Sequence, residues 1–211
     1  MRAEIAKSQS PASKTVDLDV PSLLANPLLQ SIYSEELRLR NGINLFRTPN
    51  NHNARISSWT FPKDGMILVS TWHARRDRTV WNEGPVNGEL HPVDDFWAER
   101  FIVYPSDPST GPRKPSGRDA EKSKKDGKPY YTTEPVAGSY IPYGGGLKIC
   151  KGRFYAKQEA IGAMALLFTM FDIELVGDIK GEGLPKPDMN YFPFGVVPPL
   201  GVTRARMRRR V

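Results

Sequence analysis

The chain holds a single cysteine, Cys150, within the stretch YGGGLKICKGRFYAKQEA that runs from Tyr143 to Ala160. Three consecutive glycines, Gly144 to Gly146, lie just upstream, and a helix-like run begins downstream at about Arg153. A thiol at a helix start sits at the positive end of the helix dipole, close to unpaired backbone N–H groups. Both favour thiolate over thiol, and the thiolate is the form that attacks as a nucleophile or ligates a metal. Lys148, Lys151 and Arg153 add positive charge around the sulfur. Gly144, Gly145, Gly146 and Gly152 carry no Cβ, so main chain there can approach a flat ligand closely. The plain alternative for a lone cysteine is a small buried hydrophobe. The convergence of glycines, cations and a helix start argues instead for an activated thiolate. The spacing does not fit a phosphate-binding loop, and no histidine signature marks a cysteine hydrolase. One cysteine excludes an internal disulfide, which fits a reducing compartment. Three scattered histidines beside it give no zinc spacing.

The elements that must position this thiol are legible around it. With 211 residues, 39% of them hydrophobic, the chain can bury a sizeable core, as one large domain or two small ones. ANPLLQSIYSEELRLRNG reads as a helix with Asn26 as N-cap, Pro27 in the first helical position and Asn41-Gly42 at the stop. INLFRT, ARISSWTF and GMILVSTWH read as short strands, the last two joined by a turn at FPKDG. Residues 82–142 are irregular and read as a long wrapping loop. A long helix spans about Arg153 to Phe171. The last 40 residues read as short strands with tight turns at KGEGLPKPD and VVPPLG. Helix, strands, long loop, helix and strands in that order imply an α+β fold.

The net charge is +7. Arg113 to Lys128 contributes seven basic and three acidic residues, hence +4, and the C-terminal RARMRRRV adds five arginines. Such patches can bind nucleic acid, but charge runs are usually solvated, and no aromatics interleave the arginines for base stacking. The expectation is a solvated loop, a solvated tail and no nucleic-acid partner. The longest apolar run, Ala160 to Phe171, is 12 residues. A membrane span needs about 18, so this run reads as a buried helix, and the chain is expected to have no membrane span. No signal peptide is visible at Met1.

Tyr143-Gly-Gly-Gly146-Leu-Lys-Ile-Cys150-Lys-Gly152-Arg153-Phe-Tyr-Ala156 resembles the haem-binding signature of the cytochromes P-450. That signature is an aromatic, two residues, Gly, three residues, Cys, one residue, Gly, then Ala. Tyr143 stands where the family has Phe, Lys148 where it has Arg or His, and Lys151 where Pro is common. Glu35-Glu36-Leu37-Arg38 resembles the family's E-x-x-R, whose two charged residues share a helix face. Trp97-Ala98-Glu99-Arg100-Phe101 is similar to its P-E-R-F, with Ala98 for Pro, and RRDRTVW is near its Arg-Asp-Pro-x-x-Trp, with Arg78 for Pro. These pieces occur in the family's order and cover residues 20 to 211.

The resemblance implies the C-terminal part of a mainly helical fold: two long helices, small antiparallel hairpins and a meander loop, with residues 105–138 as a flexible basic insertion. It implies Cys150 as the catalytic and metal-ligating thiolate of haem b. Tyr143, Gly144, Gly146, Lys148, Gly152 and Arg47 would be further cofactor-binding residues. It implies a structural triad of Glu35, Arg38 and Arg100, with Leu45, Phe46, Val196 and Val197 on the substrate side. The wording is most like fungal members, which implies a lipophilic small-molecule substrate, dioxygen as oxidant and electrons from an NADPH-dependent flavoprotein reductase. Full-length relatives belong to the endoplasmic reticulum membrane. The distal helix and anchor of such relatives find no match in this chain, for which a cytosolic location is one expectation. Two functional readings follow: part of a haem-thiolate monooxygenase, or a non-catalytic truncated remnant.

Overall fold

Two short helices, α1 (Arg2–Ala6) and α2 (Val20–Ala25), precede the long α3 (Pro27–Arg40). The computed structural model describes residues 1–8, 17–115, 127–177, 186–191 and 195–210. The ends of α3 follow its capping residues. The Asn26 side chain accepts hydrogen bonds from the Leu28 and Leu29 N–H groups at 3.0 and 3.1 Å, and Pro27 takes the first position, where no N–H is needed. At the other end Asn41 turns out of the helix in an extended conformation (φ −95°, ψ 125°) rather than a left-handed one. Its side chain accepts from Ile43 N–H at 3.1 Å and so holds that exit.

Four strands follow: β1 (Asn44–Arg47), β2 (Ala54–Ile56), β3 (Trp59–Phe61) and β4 (Ile67–Ser70). Their pairing departs from the sequence reading. ARISSWTF is not one strand: β2 and β3 form a hairpin, Ile56 opposite Trp59. The reversal places Ser57 at φ +54°, a conformation that Gly or Asn would have advertised. The FPKDG turn exists, with Gly65 N–H donating to Pro62 O at 3.0 Å. The strands it joins do not pair with each other, because β4 runs antiparallel to β1, with Leu45 opposite Val69. The end of the third predicted strand is a helical turn, α4 (Thr71–Ala74), fixed by the buried Thr71, which bonds back to Ile43 O.

The long loop wraps a core of its own, made of Trp81, Val93, Phe101 and Val136. Trp81 packs edge-on against Phe101 (5.7 Å between centroids) and donates its indole N–H to Ala74 O at 2.9 Å. Within the loop β5 (Ile102–Val103) pairs antiparallel with β6 (Tyr130–Tyr131). The expected flexible insertion (105–138) falls partly on residues 116–126, outside the described residues. Its described ends are held: Asn82 donates to Ser109 O and Gly111 O, and Lys114 N–H to Val80 O.

Helix α5 (Arg153–Met170) leads directly into β7 (Phe171–Leu175). Its Ile161 and Ala165 close the main core with Ile5, Leu23 and Leu29, so α1, α2, α3 and α5 pack together. The arginine-rich end is not a tail. β8 (Ala205–Arg209) pairs antiparallel with β7; its exposed Arg206 lies 3.3 Å from Glu174, and Arg210, just past the strand, lies 3.8 Å from Asp172. A backbone ladder does not depend on side-chain polarity, so this segment forms a strand while staying solvated, as its charge implies. The KGEGLPKPD turn lies mostly outside the described residues. Among the described residues no helix is long and apolar enough to cross a membrane.

Candidate functional site

Cys150 lies exposed in the loop between the end of the wrapping segment and α5. The loop is shaped by its own backbone. Gly144 (φ +76°) and Gly146 (φ +68°) occupy the left-handed region that side-chain-bearing residues avoid. Gly146–Lys148 is a single 3-10 turn, and the Cys150 N–H donates to Tyr143 O at 3.0 Å. Gly145 and Gly152 have ordinary backbone angles (φ −157° and −76°). Only two of the four glycines are therefore demanded by conformation.

Three elements distant in sequence hold this loop. From the end of α3, the buried Asn41 amide donates to Pro142 O at 2.7 Å. From β1, Arg47 donates to Gly145 O at 2.8 Å while its other terminal nitrogen binds Phe46 O. Leu45 lies beside Gly144, where an added Cβ would stand 3.6 Å from its methyl. From α5, Arg153 donates to Cys150 O at 3.0 Å, with its guanidinium over the Phe154 ring. Lys148 and Lys151 are exposed on either side of the cysteine. The surface around the sulfur is unusually apolar: Leu147 is fully exposed (103%), Phe154 shows 65% of its surface, and Ile149 is exposed as well.

The Tyr33 hydroxyl of α3 is paired with that of Tyr143. Burial pushes both phenols above their ordinary range, so both remain neutral. A cleft of about 520 Å³ opens beside them, lined by Tyr33, Tyr131, Tyr140, Tyr143, Arg153 and Lys157.

Glu35, Arg38 and Arg100 meet with their side chains completely buried. Glu35 binds Arg38 through both oxygens, at 2.7 and 2.9 Å, and Arg100 Nε at 2.9 Å. It also accepts the Trp97 N–H at 3.2 Å. Arg100 spends its remaining donors on the carbonyls of Asn82, His91, Pro92 and Asp95. One carboxylate thus ties α3 to the wrapping loop.

The substrate-side residues separate into two groups. Leu45 abuts the cysteine loop, and its neighbour Phe46 is 54% exposed. Val196 and Val197 lie instead at the end of α3, where Val197 N–H donates to Arg40 O. They line a second cleft of about 470 Å³ with Leu37, Ile161 and Met164. Val197 is buried and Val196 exposed.

Sequence reasoning missed Arg75 and Tyr33. Arg75 is fully buried; it bonds Leu37 O in the last turn of α3 and Asn41 O just beyond it, as well as Thr71 O of α4. The signal was Arg75, a second arginine directly before the Arg76-Asp77 start of the RDRTVW motif and outside it. Tyr33 carried no signal except the departure at Tyr143.

No family model matches the chain. It is 43% identical over 192 residues to the cytochrome P450 monooxygenase efuG of Hormonema carpetanum, which covers 91% of this chain and 33% of that protein. It is 36% identical over 212 residues to the cytochrome P450 monooxygenase fsoE of Humicola fuscoatra, covering 99% of this chain and 36% of that protein. The fold aligns with the retinoic acid-bound cyanobacterial CYP120A1 at a TM-score of 0.62 and 19% identity, over 99% of this chain and 38% of that one. The chain spans about a third of the length of the curated relatives it matches. With its glycine-shaped cysteine loop before α5 and the buried Glu35 cluster tying α3 to the wrapping loop, this chain belongs to the cytochrome P450 family, as a C-terminal portion of that fold.

Proposed function

We propose that this chain is the haem-binding part of a fungal monooxygenase that places one atom of dioxygen into a lipophilic small molecule. The second oxygen atom leaves as water, and NADPH supplies the two electrons through a flavoprotein reductase. The observation that carries this reading is the exposed Cys150 thiol on a hydrogen-bonded loop, with the exposed apolar side chains of Leu147 and Ile149 next to it in the chain.

The residues present suit haem b. A single soft sulfur donor fits an iron whose remaining ligands come from a macrocycle. An apolar apron with cations at its edge fits a flat ring that bears carboxylates. In this reading Cys150 would hold the haem iron through its thiolate, and Tyr143 would set its ring beside the cofactor. Gly144 and Gly146 give the loop its turn, and Gly152 leaves the start of α5 open beside the sulfur. Lys148 pairs a carboxylate as a point charge. Arg47 has two of its donors committed to main chain, so it holds the loop and offers its remaining N–H to a carboxylate. When bound, haem with a thiolate ligand supplies dioxygen activation, the sulfur favouring O–O cleavage. Leu45, Phe46 and Val196 contribute apolar surface for the substrate, and Val197 supports that turn from within.

The basic rim near Lys148, Lys151 and Arg153 would steer the approach of an acidic reductase surface, with Lys151 free of any part in holding the cofactor. The site of action in this reading is the endoplasmic reticulum membrane, as for full-length relatives. A second reading, a non-catalytic remnant, is favoured by one observation: α5 leaves Leu166 and Leu167 partly exposed among the described residues.

The test is to express the chain, add haemin, reduce it and add carbon monoxide. A red-shifted Soret band that Cys150→Ala abolishes supports thiolate ligation, and a band that survives the substitution refutes it. Product formation with reductase and NADPH separates the two readings.

A further inference from the structure

One turn of α3 acts as a bracket for the segment that leads into Cys150. The Ser34 hydroxyl is paired with that of Tyr131 at 2.7 Å, and the Ser34 carbonyl accepts from the Tyr140 hydroxyl at 3.2 Å. Tyr33, one residue earlier, is paired with Tyr143. Tyr143 is the point at which this bracket reaches the sulfur, because its carbonyl accepts the Cys150 N–H at 3.0 Å. The Phe that the family signature carries here has no hydroxyl to anchor. The two phenols therefore form a matched pair: each would be left with a half-buried, unpartnered hydroxyl if the other lost its own, and removing both leaves none stranded.

We infer that Tyr33 is a positioning residue for the cysteine loop, acting through the Tyr143 ring on the backbone of Cys150. The inference rests on the haem-thiolate reading only for its spectral consequence.

The experiment is a double-mutant cycle of Y33F, Y143F and Y33F/Y143F in the full chain, read in two ways. In the haem-free protein, hydrogen exchange is followed at the Cys150 amide. Y33F speeds that exchange roughly tenfold, and the double variant returns to within about twofold of the wild type. Should Y33F not fold, Y143F against the double variant reads the same coupling from the other side. Additive effects, or an amide indifferent to Y33F, overturn the inference. In the haem-loaded protein, the reduced carbon monoxide complex is warmed. Y33F loses its red-shifted band at lower temperature than the wild type, and the double variant regains it. A band equally persistent in Y33F also overturns the inference. Coupling in the exchange data, with no red-shifted band even in the wild type, leaves the positioning role standing and removes the haem reading.

Discussion

The Glu35 carboxylate and the Arg100 guanidinium, 65 residues apart, meet at 2.9 Å with neither side chain exposed to solvent. Arg38 shares the same carboxylate from one helical turn away. Two cations on one anion leave a net positive charge in the interior, and it is made tolerable by the carbonyls that each guanidinium also binds.

Removing the shared anion strands both cations. Glu35→Gln is expected to cost about 3–5 kcal/mol, the range for breaking one member of a buried ion cluster. Arg100→Lys does little better than Arg100→Met, because one ammonium cannot reach the five acceptors that the planar guanidinium meets. Urea unfolding of the haem-free chain measures both. A loss below about 1 kcal/mol for Glu35→Gln would show the cluster to be inessential.

Arg75 has no carboxylate among the partners described, and burial, with Arg76 adding to it, pushes its guanidinium down to about 10. It earns its place by capping the carbonyl end of α3. Arg75→Met is expected to destabilise by about 3 kcal/mol and to loosen Asn41, hence the Pro142 end of the cysteine loop. Hydrogen exchange at Ile43 and Gly144 reports that loosening; unchanged exchange at both sites contradicts the capping role.

Gly146 and Gly145 are adjacent but are expected to respond differently. Gly146→Ala puts a Cβ at φ +68° and costs about 1–2 kcal/mol, with impaired haem retention. Gly145→Ala sits at φ −157° with nothing within 4 Å of the new atom and is expected to be neutral. Thermal midpoints of the two variants, compared side by side, decide this. Equal losses would mean that the loop conformation is not the constraint.

Alkaline stability follows from Tyr33. Its folded pKa is raised, by burial first and by its pairing with Tyr143 second, above an ordinary value of 10. A raised folded pKa means that the native state holds its proton more tightly than the unfolded chain. The stabilisation is complete below pH 10 and is lost as pH rises beyond it. Y33F removes this titration, so its stability falls less steeply than that of the wild type above pH 10. Denaturant midpoints across that range check the sign, and a steeper fall in Y33F would contradict it.

The local signals in the chain are legible in the sequence because they act within a few residues. Asn26 caps α3 through the next two amides, and Pro27 fixes the first turn. Gly144 and Gly146 allow backbone angles at their own positions, and the apolar run of α5 is long enough to specify a helix by itself. Sequence also placed the only thiol at the mouth of that helix, and with it the family. Only the tertiary structure decided that β1 would leave its sequence neighbours to pair with β4, and that the arginine-rich end would pair with β7. It likewise decided that Arg75 would end α3 from 34 residues away and that Tyr33 would meet Tyr143 across 110 residues. Each of these contacts depends on which surfaces burial brings together, and no periodicity or spacing encodes a partner so far along the chain.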